Sequence, residues 1–282
     1  MKILTWNVRG LSGSTDRGAT QAIVSKIISS HAISFACLFE TKLSTLDLDL
    51  FLSNRFPSWE SCTNSDFVNG GRMLLIWDTY RVSCTVLEVH SHFIHVQALC
   101  KVTQVSFLAT FVYPGYTPTE RKEFWQYLTQ KGAPISRPWL VLGDFNFDAS
   151  PMERVGGSSL IPSAYEDLYN FMQIRGMVDA PSSGPFFTWT NGTLCTKLDR
   201  VLINDAWSDL GLVCMANFME MEPVSDHVPV VTTVVNAHVR GNRPFKFFNM
   251  WINHPSFEDI IGQYWGLQVE GSLQFVSPNP AQ

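Results

Sequence analysis

Residues able to bind a cation, move a proton or hold a phosphate recur at one kind of place in this 282-residue sequence: at or beside the end of a strand-like apolar run. Asn7, Glu40, Tyr113, Asp144 with Asn146, Asp199, and the run Ser225-Asp226-His227 all stand there. Taken singly, each has a plainer reading. Asn7 suits an Asx turn, Asp144 a turn in Gly143-Asp144-Phe145-Asn146, Asp199 an ion pair with Arg200 or Lys197, and His227 a satisfied buried imidazole. The set is harder to dismiss, because strand ends are where a rigid scaffold presents working loops. Several acids converging there would repel one another unless a cation sat among them. Carboxylate and amide oxygens suit hard ions such as Mg²⁺ or Mn²⁺. A His near an Asp suits an oriented imidazole. Together these groups suit acid–base work beside a bound hard cation.

These residues must be positioned by a sheet-rich scaffold. Strand patterns run over Lys2–Val8, Ile33–Glu40, Arg72–Trp77, Val82–Val89, Phe93–Lys101, Gln104–Val112 and Trp139–Leu142. Phe186–Thr190, Lys197–Ile203 and Pro229–Val235 continue the series. Helical spacing marks Gly18–Ser30, Leu46–Phe56, Thr119–Gln130 with Thr119 as N-cap, Pro162–Gly176 and Phe257–Trp265. Many strands follow one another directly, so a strictly alternating parallel fold does not fit. An α/β (α+β) architecture of two packed mixed β-sheets flanked by helices does.

Bulk composition limits the function classes. With 45% hydrophobic and 16% charged residues the chain is not intrinsically disordered. Its net charge of −5 argues against binding nucleic acid by bulk positive charge. Setting aside Glu40, Asp144, Asp199 and Asp226 leaves 21 acids against 20 bases, a near-neutral remainder compatible with modest DNA affinity. Arg9, Lys42, Arg72, Arg81, Lys197 and Arg200 are candidates to line a groove, or else solvated surface residues. The six cysteines form no C-x-x-C pair and read as reduced thiols. No run approaches the roughly 20 apolar residues of a membrane helix, and the first ten residues lack a signal-peptide core. The expectation is a soluble intracellular protein of nucleus or cytoplasm, not secreted and without a membrane partner. The domain is expected over 1–235, with a linker-like tail over 236–282 that opens on Gly and Pro.

The motifs carry a resemblance. Thr5-Trp6-Asn7-Val8-Arg9-Gly10, Glu40-Thr41-Lys42, Gly70-Gly71, Tyr113 and Gly143-Asp144-Phe145-Asn146 come in that order. Phe187-Thr188-Trp189, Leu198-Asp199-Arg200 and Ser225-Asp226-His227 come after them. The chain resembles the endonuclease/exonuclease/phosphatase superfamily and, more narrowly, the apurinic-type endonuclease domain of plant non-LTR (LINE-type) retrotransposons. The stretch from Arg243-Pro244-Phe245 to Met250-Trp251, with His254-Pro255, resembles the segment C-terminal to that domain in plant elements. Phe39, where many relatives carry Gln, and Phe147-Asp148-Ala149, where they often carry Glu-Ile-Leu, depart from the pattern.

The resemblance implies a four-layer α/β sandwich and Mg²⁺-dependent cleavage of phosphodiesters, with Mn²⁺ as a substitute. It makes Glu40 the main metal ligand, with Asn7 orienting it and helping to hold the ion, and Asp226 supporting the metal side. Asp144 positions or deprotonates the attacking water, Asn146 touches phosphate and Asp144, and Tyr113 gives its phenol to phosphate. Asp199 orients His227, which stabilises the charge on phosphate oxygen. Ser225 and Thr188 hold loops or touch phosphate. The implied partner is duplex DNA, nicked for retrotransposition, with a reverse-transcriptase domain in a longer parent protein. The alternatives are a phosphatase or RNA nuclease of the same fold, or a catalytically idle remnant of a retrotransposon protein.

Overall fold

A computed structural model of the chain describes residues 1–11, 17–68, 73–115, 117–131, 135–157, 166–236 and 257–264. Gly70-Gly71, Arg72, residues 162–165 and the aromatic tail segment from Phe245 to Trp251 lie outside them. The strands are β1 (Lys2–Asn7), β2 (Phe35–Phe39), β3 (Trp59–Thr63), β4 (Met73–Asp78), β5 (Val82–His90), β6 (Phe93–Cys100), β7 (Ser106–Val112) and β8 (Trp139–Asp144). Then come β9 (Arg154–Val155), β10 (Val178–Asp179), β11 (Ser182–Ser183), β12 (Trp189–Thr190), β13 (Cys195–Thr196), β14 (Asp199–Ile203), β15 (Leu212–Phe218) and β16 (Val230–Asn236). The helices are α1 (Arg17–Ser30), α2 (Thr45–Arg55), α3 (Pro118–Lys131), α4 (Glu166–Arg175), α5 (Ala206–Asp209) and α6 (Phe257–Tyr264). The chain divides into two compact units, Met1–Val239 and Arg240–Gln282. In the second, α6 presents Glu258 and Asp259 in its first turn, where acids favour the helix dipole.

The first unit holds two mixed sheets flanked by helices. One sheet runs β11-β15-β16-β1-β2-β4-β3 and the other β10-β14-β8-β7-β6-β5, with a small third sheet β12-β13-β9. The parallel pairs β1–β2 and β7–β8 sit inside otherwise largely antiparallel sheets. Side chains alternate between two buried environments, which explains why these strands read as unbroken apolar runs. In β2, Phe35, Cys37 and Phe39 point into the core between the sheets, while Ala36 and Leu38 pack under Val24 of α1 and Phe51 of α2. In β8, Leu140 and Leu142 face the inter-sheet core, and Trp139 and Val141 pack with Trp125 of α3 and Phe171 of α4. The layer order is therefore helix, sheet, sheet, helix. No helix among the described residues is long and apolar enough to cross a membrane.

Two local readings change. The cap of α3 is Thr117, not Thr119. The Thr117 hydroxyl accepts the Glu120 N–H at 3.2 Å, and the Glu120 carboxylate accepts the Thr117 N–H at 3.1 Å, with Pro118 in the first helical position. The strands β3 and β15 are additions. Glu60 and Ser61 made the edge strand β3 look polar, and Met215, Ala216 and Asn217 lower the strand propensity of β15.

Helix α1 ends in a Schellman motif. The Ala32 N–H donates to Ser29 O, the Ile33 N–H donates to Ile28 O, and exposed Ala32 sits at φ +52°. A Cβ there costs about 1 kcal/mol. Ala32→Gly is therefore expected to stabilise the fold by about that amount, and an unchanged or lower denaturant midpoint would contradict it.

Candidate active site

Strand register accounts for much of the convergence. β1 and β2 run parallel with Asn7 opposite Phe39, so Asn7 and Glu40 leave the same end of their sheet as neighbours. In the other sheet β14 and β8 run antiparallel with Asp199 directly opposite Asp144. Two carboxylates so placed repel unless a cation lies between them. His227, just before β16, is that cation: its Nδ1 lies 3.0 Å from Asp199 Oδ2 and its Nε2 lies 3.7 Å from Asp144 Oδ2. Asp144 accepts the Asn7 side-chain N–H on Oδ2 at 3.0 Å and the Asn146 backbone N–H on Oδ1 at 2.9 Å.

All three members of this trio are buried. Burial opposes the charge on His227, but Asp199 and Asp144 outweigh it and bring the imidazolium to about 9. Burial raises the Asp144 carboxyl, and neighbouring Asp199 raises it further; His227, Asn7 and the Asn146 N–H restrain the rise to about 6. Near neutrality the arrangement is a carboxylate and an imidazolium side by side.

Glu40 adjoins this trio through Asn7, whose side-chain N–H₂ donates to Glu40 Oε1 at 3.0 Å as well as to Asp144. The Tyr113 hydroxyl donates to the same Glu40 oxygen at 2.9 Å. Arg9 Nη1 lies 3.3 Å from Oε1, and Lys42 Nζ lies 3.3 Å from Oε2. Burial alone would raise the Glu40 carboxyl, but Asn7, Tyr113, Arg9 and Lys42 overcome it and hold it at about 2. Arg9 also reaches Asp226, with Nε 3.2 Å from Oδ1, and the Trp189 indole N–H donates to Asp226 Oδ2 at 2.9 Å.

Backbone strain gathers around these residues. Arg9, Glu40, Lys42 and Asn146 all adopt positive φ between 52° and 55°. Left-handed non-glycine residues cost of order 1 kcal/mol or more each and cluster where the surrounding structure fixes them for a purpose. Gly143, at φ +143°, is a different case. A Cβ there would lie 2.3 Å from Val112 O and 2.8 Å from the Phe39 ring, so only glycine lets β8 pass β7 just before Asp144.

The supporting residues hold loops. Thr188 Oγ1 accepts the N–H groups of Leu198 and Asp199 at 3.0 and 2.9 Å. The Ser225 hydroxyl donates to Asn7 O at 2.6 Å and accepts the His227 N–H at 3.1 Å. The side chain of Asn146 donates to Pro114 O at 2.8 Å, so Asn146 meets Asp144 through its backbone N–H. Asn7 does close an Asx turn, accepting the Arg9 N–H on Oδ1 at 3.1 Å, while its amide orients both carboxylates.

Neither Arg200 nor Lys197 pairs with Asp199. Arg200 is buried and engages Glu153 and Asp179, with Nη1 2.8 Å from Asp179 Oδ2, and Lys197 also faces Asp179. Arg81 pairs with Asp78 at 3.4 Å. The two departures from the family pattern have structural partners. Phe39 stacks on Tyr113 with ring centroids 5.8 Å apart, and buried Asp148 pairs with Arg154 at 2.7 Å. Sequence reasoning missed the direct roles of Arg9, Lys42 and Trp189. The first two read as groove-lining candidates or solvated surface residues rather than as partners of Glu40, and Trp189 lies 37 positions before the carboxylate it anchors.

Among the described residues, two places could take a cation. The ligand atoms of Asp144, Asp199 and His227 lie within 4.8 Å of one another, but a protonated imidazole already stands between the two carboxylates and offers no free lone pair. Glu40 and Asp226 fit a hard divalent ion better. They are oxygen donors, and the protein already draws the guanidinium of Arg9 onto both.

Comparison with known proteins places the fold in a family. The model of the Endonuclease/Exonuclease/phosphatase family matches residues 4–227. No curated protein matches the sequence. Among solved structures, the chain is similar to a 3'-5' exonuclease from Neisseria meningitidis, with 16% identity over 83% of this chain and 99% of that one and a TM-score of 0.60. It is similar to an AP endonuclease from Leishmania major, with 15% identity over 82% and 86% and a TM-score of 0.59. It is also similar to a mannosyl-6-phosphatase from Bacteroides thetaiotaomicron, with 14% identity over 83% and 99% and a TM-score of 0.58. The matched span runs from β1 to His227 and so encloses every strand end at which these polar groups meet; the chain belongs to the Endonuclease/Exonuclease/phosphatase family, hydrolases of phosphodiesters and phosphate monoesters.

Proposed function

We propose that the chain is a divalent-metal-dependent DNA endonuclease, of the kind that nicks target DNA for retrotransposition. The observation that carries the reading is the imidazolium of His227 held between Asp199 and Asp144, beside the Glu40 carboxylate. That arrangement suits an in-line displacement at phosphorus, in which a base accepts a proton from water while fixed positive charge faces the phosphate oxygens. Duplex DNA as substrate is compatible with the near-neutral remainder of the chain and is supported by two fold relatives, the AP endonuclease and a Neisseria 3' phosphatase bound to a product DNA hairpin. The retrotransposon setting, with a Mg²⁺ cofactor and a reverse-transcriptase domain in the parent protein, rests on the motif order and on the segment from Arg243 to Pro255.

In this mechanism Asp144, ionised near neutrality, accepts the proton of the attacking water, with Asn7 and the Asn146 N–H aiming its two oxygens. His227 presents its Nε2–H to the phosphate as negative charge builds, and Asp199 keeps the ring charged and aligned. Tyr113, just after β7, steadies Glu40 through its hydroxyl, and Asn146, just after β8, braces Asp144 through its backbone N–H. Glu40 and Asp226, with Asn7 orienting Glu40, would hold the metal, which when bound supplies Lewis-acid charge at the phosphate.

The charge states set the pH response. Below about 6 Asp144 gains a proton and loses its capacity as a base. Above about 9 His227 loses its charge. The single-turnover rate of nicking is therefore expected to be bell-shaped, with limbs near those values. A rate that keeps rising through pH 10 would remove His227 from the mechanism.

The tail over 236–282 is proposed as a linker. Truncation after Asn236 should leave one cooperative unfolding transition, and aggregation of the truncated protein would refute that. The function itself is tested by nicking of supercoiled plasmid with Mg²⁺, with EDTA, and with Glu40→Ala protein. Nicking only by the Mg²⁺-supplied wild type supports it.

A further inference from the structure

One cationic side chain occupies the ground between the two carboxylates best suited to a metal. The Arg9 guanidinium lies 3.3 Å from Glu40 Oε1 through Nη1 and 3.2 Å from Asp226 Oδ1 through Nε. Lys42 adds a second charge, 3.3 Å from Glu40 Oε2, and its ammonium also donates to the Arg9 carbonyl at 3.2 Å. Arg9 and Lys42 are about half exposed, whereas the side chain of Glu40 is 10% exposed, so the cations come from the solvent side of a largely buried acid. The backbone is bent to bring them there: Arg9, Glu40 and Lys42 all take left-handed φ.

Such a pairing has a definite energetic meaning. Glu40 and Asp226 face a common point and would repel if nothing positive stood between them. An ion pair made by a half-exposed arginine is worth little, because solvent competes for both partners. A divalent ion offers twice the charge in a smaller volume. Arg9 is therefore strong enough to keep the two carboxylates in place and weak enough to be exchanged. A side chain meant only as a permanent staple would be buried, as Arg200 is against Glu153 and Asp179.

We propose that Arg9, with Lys42 assisting, is a resident counter-ion of the cation site: it bridges Glu40 and Asp226 when no metal is bound and is displaced by the incoming divalent ion. The displaced guanidinium remains tethered at the end of β1, where it becomes available to a phosphate oxygen. The device makes metal affinity a competition against an internal cation, so that the site loads at higher ion concentration than its oxygens alone would need. This inference rests on the metal-dependent reading above.

The test is a Mn²⁺ titration, with free ion followed by electron paramagnetic resonance and no DNA present. It compares wild type, Arg9→Gln, Arg81→Gln and Glu40→Gln, with thermal midpoints as the folding control. Arg81 pairs with Asp78 at the opposite end of β4 from Glu40 and removes the same charge elsewhere. The expected result is Mn²⁺ binding about fivefold tighter in Arg9→Gln, unchanged in Arg81→Gln and strongly weakened in Glu40→Gln. Two results would overturn the proposal while leaving the cation site standing. One is unchanged or weaker binding in Arg9→Gln with binding lost in Glu40→Gln; the other is equal tightening by Arg9→Gln and Arg81→Gln. Wild-type affinity in Glu40→Gln would overturn both this proposal and the assignment of the metal to Glu40.

Discussion

Glu40→Ala is expected to lower the single-turnover rate of DNA nicking by on the order of 10³-fold, with partial recovery in high Mn²⁺. The residue is a shared acceptor for Asn7, Tyr113, Arg9 and Lys42. Removing it deletes the proposed main oxygen ligand and leaves two cations and two hydrogen-bond donors without their common acceptor. A Lewis-acid metal contributes several kcal/mol to stabilising charge in the transition state. At about 1.4 kcal/mol per tenfold in rate, that corresponds to the stated loss. Glu40→Gln keeps an oxygen acceptor for Tyr113 and should fold closer to wild type while losing nearly as much rate. A Gln variant with wild-type activity would mean that the charge of Glu40 has no part in the chemistry.

The second large effect is expected at Asp199. Asp199→Asn should leave binding of Mn²⁺ and DNA nearly unchanged and slow nicking by roughly 10²- to 10³-fold, the loss typical of removing one stabiliser of developing charge. Asp199 is the closer of the two carboxylates flanking His227, at 3.0 Å against 3.7 Å for Asp144. An amide in its place removes the principal interaction raising the imidazolium toward 9. With a weaker partner the ring releases its proton at lower pH, so the alkaline limb of the rate profile should move down toward neutrality. A slower enzyme with an unmoved alkaline limb would show that Asp199 serves the fold rather than the charge on His227.

The sequence is most informative where a side chain's neighbours are set by the strand it ends. Asn7, Glu40, Asp144 and His227 stand out because each lies at or beside the end of an apolar run, and strands buried on both faces make such ends conspicuous. The principal strands and helices are legible for the same reason. Two-residue strands such as β9 and β13 are not, since they are too short to show any period. Pairings between distant segments are also hidden. Arg9 meets Glu40 31 positions away, and Trp189 reaches Asp226 37 positions away. Arg200 stands beside Asp199 in sequence, yet strand alternation turns its side chain toward Glu153 and Asp179 on the other face. The plainer reading of Asp199 as an ion-pair partner of Arg200 therefore fails, and the register of β14 against β8 and β10 shows why.

The most direct test of the account is single-turnover cleavage of an internally intact duplex oligonucleotide in Mg²⁺ by wild type, Glu40→Ala and His227→Ala at matched folding. The account predicts an internal nick by wild type that EDTA abolishes, and rates lower by on the order of 10²-fold or more in both variants. Nicking at the wild-type rate in both variants, or an intact duplex after prolonged incubation with folded wild-type protein and Mg²⁺, would contradict it.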